Sequence, residues 1–423
     1  MTLRRRSRLP HDSDGMHTGG MHIGAVVAMA TSSFVFVTAE ILPIGLLPEI
    51  AGGLSVTEGS VGLLLTTYAA VAAATTIPLT ALTLRIPRHH LLVILVAVFA
   101  VSQAAAAASP TFPVLIVTRL LCALAHGVFW STLAPAASRL AAPGQAGRVT
   151  SMVFVGNSAA LVIGLPLGTA LGQWAGWRVA LATMAVAGTL SAIALRTLLP
   201  ALPVDRRDAG SGIWPRLHTA VDAIRSRATA PVCAVTVVLV IGHFAAYTYL
   251  TPLVRSNGGL DGFALSALLF GWGAAGLLGN VLGGRFVDRR PGVIMAGCLL
   301  LITTGLMVLT LVPGPVATVV AVLVWALGFS AVPVTLQTVI LRVAPHTKDT
   351  ASAVYVVAFQ IGIGGGALIG ERFVAAGLLD VLPVLGAAVA VAAAVIVLRS
   401  RGAFPLRSVP AQGGRLKEPV HAG

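Results

Sequence analysis

The chain has 423 residues, of which 57% are hydrophobic and only 10% charged, against about 25% charged in soluble domains; this excludes a water-soluble globule and makes the bilayer the expected solvent. The net charge of +14 would suit nucleic acid, but its placement excludes that partner. Apart from Arg119, Arg178, Arg255 and Arg372, the 28 Lys and Arg residues fall in the tails, in even-numbered loops or at the helix ends beside them, which puts both termini in the cytoplasm.

Twelve apolar runs suit a bilayer about 30 Å thick. They fall at roughly 23–48, 59–83, 91–109, 113–137, 149–172, 179–199, 231–254, 263–287, 292–312, 315–341, 351–374 and 381–398. The expected fold is an all-α membrane protein with 12 transmembrane helices in two pseudo-symmetric six-helix bundles. A β-barrel would show alternating ten-residue segments instead. The basic tail 1–22 resembles a signal n-region, but the run after it is too long for a signal and contains Glu40 and Pro43. It is read as an uncleaved first helix. The bundles, 23–199 and 231–399, are joined by a cytoplasmic linker, 200–230. Its Gly/Ser start is expected to be flexible. Ile213, Leu217, Ala220 and Ile224 then allow a short amphipathic helix on the membrane surface. The polar tail 400–423 is expected to be disordered.

The two halves repeat. Pro143, Gly164 and Gly168 recur as Pro345, Gly366 and Gly370, each 202 residues later, and such duplication is the usual sign of a transporter with its substrate between repeats. Small residues recur every fourth position on four predicted helices: Gly62, Thr66, Ala70, Ala74; Ala160, Gly164, Gly168, Gly172; Gly271, Ala275, Gly279, Gly283; and Gly362, Gly366, Gly370. Such faces let backbones approach closely, and a smooth seam along which the halves rock is expected there.

Glu40 is the only acid well inside a run and Arg119 the only such base. Ionisable groups at that depth are expensive and usually functional. The first predicted helix runs outward and the fourth inward, so the two residues reach similar depths and can pair, as a proton-coupling site or as a fixed salt bridge. Arg119, Ala123, His126 and Trp130 form one helical stripe, and His243 and Tyr247 another. Asn157, Asn280, Gln337, Tyr355 and Gln360 add neutral polar groups. Such groups hydrogen-bond hydroxyls and stack on rings, so His126, Trp130, Asn157, His243, Tyr247, Gln337, Tyr355 and Gln360 are candidate cavity residues. Interhelical bonding is the alternative for each. Cys122, Cys233 and Cys298 each lie inside an apolar run and are read as buried. No spacing suits a metal, a P-loop or a catalytic constellation, so neither cofactor nor enzyme activity is expected.

The run Gly284-Arg285-Phe286-Val287-Asp288-Arg289 resembles the Gly-x-x-x-Asp-Arg signature of the major facilitator superfamily. Gly284, Asp288 and Arg289 are a candidate conformational latch, Asp288 accepting from the N-terminus of a neighbouring helix. The first-half equivalent, Ala81 to Arg88, has no acid, which leaves a charge latch there unsupported. Further matches are Glu40 to Pro48, Ala125 to Trp130, Gly164 to Gln173 with Gly176-Trp177-Arg178, His243 with Tyr247-Thr248-Tyr249, and Ile361 to Leu368. Over residues 23–399 the chain resembles this superfamily, and within it the bacterial proton-coupled drug and sugar efflux branch, sugar efflux transporters most of all. The resemblance implies alternating access and export driven by inward proton flow. It carries Glu40 over as the acid of the first helix and Arg119 as a fourth-helix arginine linked to proton coupling. The expected cargo is a small hydroxylated solute, a sugar or sugar analogue, with protons and the lipid bilayer as further partners, in a monomer in the cell (inner) membrane. Protonation of a Glu40-centred site from outside would lower substrate affinity. The rivals are a multidrug or nucleoside exporter and a transport-inactive receptor.

Overall fold

Lipid offers the backbone no hydrogen-bond partner, so runs this apolar must satisfy themselves as helices. The computed structural model describes residues 22–142, 144–204 and 213–407. The basic tail through Met21, Pro143, the Gly/Ser-bearing stretch 205–212 and the tail beyond Arg407 lie outside the described residues.

The first half comprises α1 (Ile23–Gly45), α2 (Leu47–Leu54), α3 (Glu58–Thr83), α4 (Arg88–Ala107), α5 (Phe112–Arg139), α6 (Ala146–Ala159), α7 (Leu165–Ala175) and α8 (Trp177–Leu198). The connecting helix is α9 (Ile213–Arg225). The second half comprises α10 (Ala230–Tyr247), α11 (Leu250–Gly258), α12 (Gly262–Phe286), α13 (Pro291–Leu311), α14 (Pro315–Val343), α15 (Lys348–Ala375) and α16 (Leu382–Arg399). Among the described residues eleven stretches are long and apolar enough to cross a membrane, and α3 carries a further, shorter apolar stretch, Thr67–Thr83. Eleven of the twelve expected runs are thus of spanning length, and the second coincides with the shorter stretch.

Prolines shape the departures from simple rods. The expected unbroken runs 23–48 and 231–254 each divide, between Gly45 and Leu47 and between Tyr247 and Leu250. Pro48 and Pro252 follow the breaks. Each lacks an N–H, and its ring opposes the carbonyl four residues back. The fifth span is continuous from Ala146 to Ala175 but widens into a π-turn at Ala160–Gly164, just ahead of Pro166. Gly176, at φ +96°, is the one residue between α7 and α8, a backbone conformation that a Cβ would oppose.

Each half has its own buried apolar core. One draws on residues from Ala25 to Leu202, the other on residues from Ala220 to Phe404 together with Ala134 and Phe154. Trp130 packs against both.

The glycine rows need a correction. A Cβ on Gly164 would strike Thr38, and one on Gly168 would strike Leu42, so this face of the fifth span packs on α1. Gly362 and Gly366 face Val240 and the Ile241 carbonyl of α10, while Gly279 and Gly283 face Leu327 and Ala331 of α14. These glycines bind helices within one half, not across the halves, because close backbone approach is what compacts each bundle. The approaches between halves use other glycines: Gly147 against Val287, Gly273 against Val162 of the π-turn, and Gly284 against Ser151.

A helix, α9, forms where the spacing of the linker allows one, and its Ile224 is exposed. It packs on both α3 and α15, with Ala220 buried and Trp214 exposed.

Candidate functional site

Pro43 interrupts the ladder of α1. It has no N–H to give the carbonyl of Ala39, four residues earlier. Arg119, reaching in from α5 and only 2% exposed, takes up that carbonyl: Nη1 donates to Ala39 O at 3.0 Å, and Nη2 donates to Glu40 O at 3.2 Å. The expected Glu40–Arg119 ion pair is therefore corrected. The guanidinium is held by the proline-freed backbone and by the face of Tyr68, 5.1 Å from the ring centroid. The carboxylate of Glu40 turns instead to His126, with Oε2 3.6 Å from Nδ1. That nitrogen has no hydrogen-bond partner among the described residues. The two atoms are about 0.4 Å beyond hydrogen-bond distance, so a small side-chain movement lets one proton be shared between them.

Tyr68, Phe36 and Trp130 enclose the His126 ring edge-on. Tyr68 was not foreseen. It lies on the opposite side of α3 from Ala70 and Ala74, and its only sequence signal is a lone phenol among small residues.

If Arg119 stabilises a broken ladder, its loss must depend on Pro43. Arg119→Met should lower the stability of purified protein by about 2 kcal/mol, the scale of hydrogen bonds from a charged donor. In a Pro43→Ala background, where residue 43 can donate to Ala39, the loss should shrink by about 1 kcal/mol. Thermal unfolding in detergent measures both, and equal losses in the two backgrounds would refute this role.

The second half holds a neutral counterpart. Trp325 Nε1 donates to His243 Nδ1 at 3.2 Å, which leaves the proton of a neutral ring on Nε2. Phe329 stacks on the His243 ring, Tyr247 stacks 5.1 Å away on centroids, and Trp272 closes the group. His243 and Tyr247 are thus brought together. Of the other cavity candidates, Gln337 and Tyr355 are spent inside the second half. Gln337 Nε2 donates to Ser352 at 2.8 Å, and Tyr355 donates to the Pro333 carbonyl at 3.2 Å. Asn157 and Gln360 are half-buried. Asn280 ties the halves by donating to Ser151 O at 3.0 Å.

A second group of contacts joins the halves where the spans begin and end nearest the termini. Asp288 accepts from the N–H groups of Gly147 at 2.7 Å and Arg148 at 3.1 Å, at the start of α6, where the helix dipole favours an anion. Burial pushes its carboxyl above the usual range, while those donors and Arg342 pull it back. Arg289 is exposed. The degenerate first-half segment also makes a charge contact, contrary to its lack of an acid. Arg88, 2% exposed, donates through Nε and Nη2 to Asp349 Oδ2 at 3.0 and 2.7 Å, and Arg139 Nη2 approaches the same oxygen at 3.5 Å. The acid comes from the first turn of α15 in the other half, so the polarity of the Asp288 contact is inverted.

The family model described as Major Facilitator Superfamily matches residues 29–367. The chain belongs to the major facilitator superfamily. Chloramphenicol efflux pumps of Mycobacterium tuberculosis, from strains CDC 1551 / Oshkosh and ATCC 25618 / H37Rv, are each 38% identical to this superfamily member over 350 residues, covering 81% of this chain and 84% of the pump. Its fold is shared with the human organic anion transporter MFSD10, at a TM-score of 0.73 and 13% identity, covering 89% of this chain and 100% of that one. It is also shared with the E. coli fucose:proton symporter FucP, at a TM-score of 0.71 and 15% identity, covering 90% and 99%. As a superfamily member the chain is a multi-pass membrane transporter, and the paired halves are the scaffold for moving a small molecule between them.

Proposed function

We propose that this transporter exports small, uncharged amphiphilic molecules that carry an aromatic ring and hydroxyl groups, the class to which chloramphenicol belongs, in exchange for protons. The contact between Glu40 and His126 carries the reading. It is a titratable pair within the spans, beside Trp130, the side chain packed against both cores. Substrate and proton compete for this pair. The deprotonated pair offers acceptors to a substrate hydroxyl, and protonation removes one of them. The 38% identity to chloramphenicol efflux pumps supports both the direction of transport and the ligand class.

The burial pattern favours this class over sugars. A polyhydroxylated ligand needs many free amides and phenols, yet Gln337 and Tyr355 already have partners and the amide N–H of Asn280 is taken, leaving only its Oδ1 free. What remains around Trp130, Phe154, Tyr247 and Trp272 is mainly ring surface. The termini are assigned to the cytoplasm on the distribution of Lys and Arg.

Everted membrane vesicles test the proposal. An imposed pH gradient should drive chloramphenicol uptake, and neutral aromatic amphiphiles should compete at least tenfold better than monosaccharides or nucleosides. Equal competition by sugars, or uptake indifferent to the gradient, would refute it.

A further inference from the structure

The start of α4 and the end of α8 lie side by side at the end of the first bundle where Arg88 meets Asp349. Between them is a cavity of about 330 Å³ lined by His89, His90, Arg196, Val93, Leu195 and Leu199, among others. Among the described residues its ionisable lining is wholly basic. Leu202 N donates to His89 Nδ1 at 3.0 Å, so the proton of the neutral ring lies on Nε2 and is free to be donated. His89 and His90 also occupy the first turn of α4, where backbone N–H groups lack intrahelical acceptors and the helix dipole favours an anion. Arg196 stands across the cavity in the last turn of α8 and is exposed.

Apart from Thr197, the rest of the lining is apolar. It runs onto a helix surface where Ile94 is 48%, Ile193 55% and Leu198 50% exposed. In spans this surface faces acyl chains, so the cavity opens at the boundary between headgroup and hydrocarbon. Basic pockets between transmembrane helices at this depth suit anionic headgroups.

We propose that this cavity holds the phosphate of an anionic phospholipid such as phosphatidylglycerol, whose acyl chains lie along α4 and α8. His90, Arg196 and the Nε2–H of His89 meet the phosphate oxygens. Val93, Leu195 and Leu199 meet the glycerol and the first methylenes. The site adjoins Arg88, so bound lipid fixes the end of α4 that supplies the buried cation between the halves. Free phosphate offers the same oxygens without the chains, and the apolar half of the site distinguishes the two.

Native mass spectrometry of the full-length, delipidated protein tests this. Phosphatidylglycerol should be retained over phosphatidylcholine, and His90→Gln/Arg196→Gln should lower its binding about fivefold or more, as about 1 kcal/mol per surface cation implies. Both side chains are exposed, so the variant should remain folded and monodisperse. Arg399→Gln/Arg401→Gln, which removes two exposed cations elsewhere, should leave binding unchanged, and millimolar inorganic phosphate should not displace the lipid. Unchanged binding in the first variant, an equal loss in the second, or displacement by inorganic phosphate would each overturn the proposal.

Discussion

Glu40→Gln should abolish the component of export driven by the pH gradient while leaving substrate binding at fixed pH within about threefold. The amide keeps the size and one acceptor of the carboxylate but cannot take up a proton. Coupling requires that one ligand change the affinity of the other, and a side chain that does not titrate removes that dependence. The small effect on binding follows from the modest net value of one hydrogen bond, about 0.5–1.5 kcal/mol. Drug accumulation in everted vesicles with and without a pH gradient, set beside equilibrium binding to the purified protein, separates the two. A variant that still accumulates substrate in proportion to the gradient would remove Glu40 from the mechanism.

Asp349→Asn should shift the protein away from the state in which α4 and α15 meet. Arg88 is almost fully buried, and Asp349 Oδ2 receives two of its N–H groups. Breaking such a pair strands a buried charge at a cost of about 3–5 kcal/mol, a change of at least about a hundredfold in a two-state equilibrium. Spin labels at Ala142 and His346, exposed in the loops before α6 and α15, should report a longer distance in the variant. Replacing both partners, as in Arg88→Met with Asp349→Leu, should restore much of the short-distance population, because an apolar pair leaves no orphaned charge. An unchanged distance distribution in Asp349→Asn would show that the ion pair does not hold this face closed.

These two sites differ in how far the chain alone disclosed them. The helices were legible because hydrophobic runs of bilayer length have few alternatives. The depth of Glu40 and Arg119 was legible for the same reason. Their partners were not, because pairing depends on helix rotation, which depth leaves open. Arg119 meets the Ala39 carbonyl that Pro43 frees, so the informative residue was the proline three places after Glu40. Asp349 escaped notice because it stands in the other half from Arg88, and a motif read within one half has no acid to find. The glycine rows were visible, but a small face does not say which helix it admits. Thr38, Leu42 and Val240 decide that, and they place the rows of the fifth span and α15 inside the bundles.

The most direct measurement counts protons exchanged when substrate binds. In weakly buffered detergent solution with a pH indicator, the wild-type protein should exchange about one proton per molecule bound, as competition for one shared site requires. Glu40→Gln should exchange none. His126→Gln should still exchange about one proton, because the carboxylate of Glu40 remains. Proton exchange in Glu40→Gln equal to that of the wild type would contradict the account.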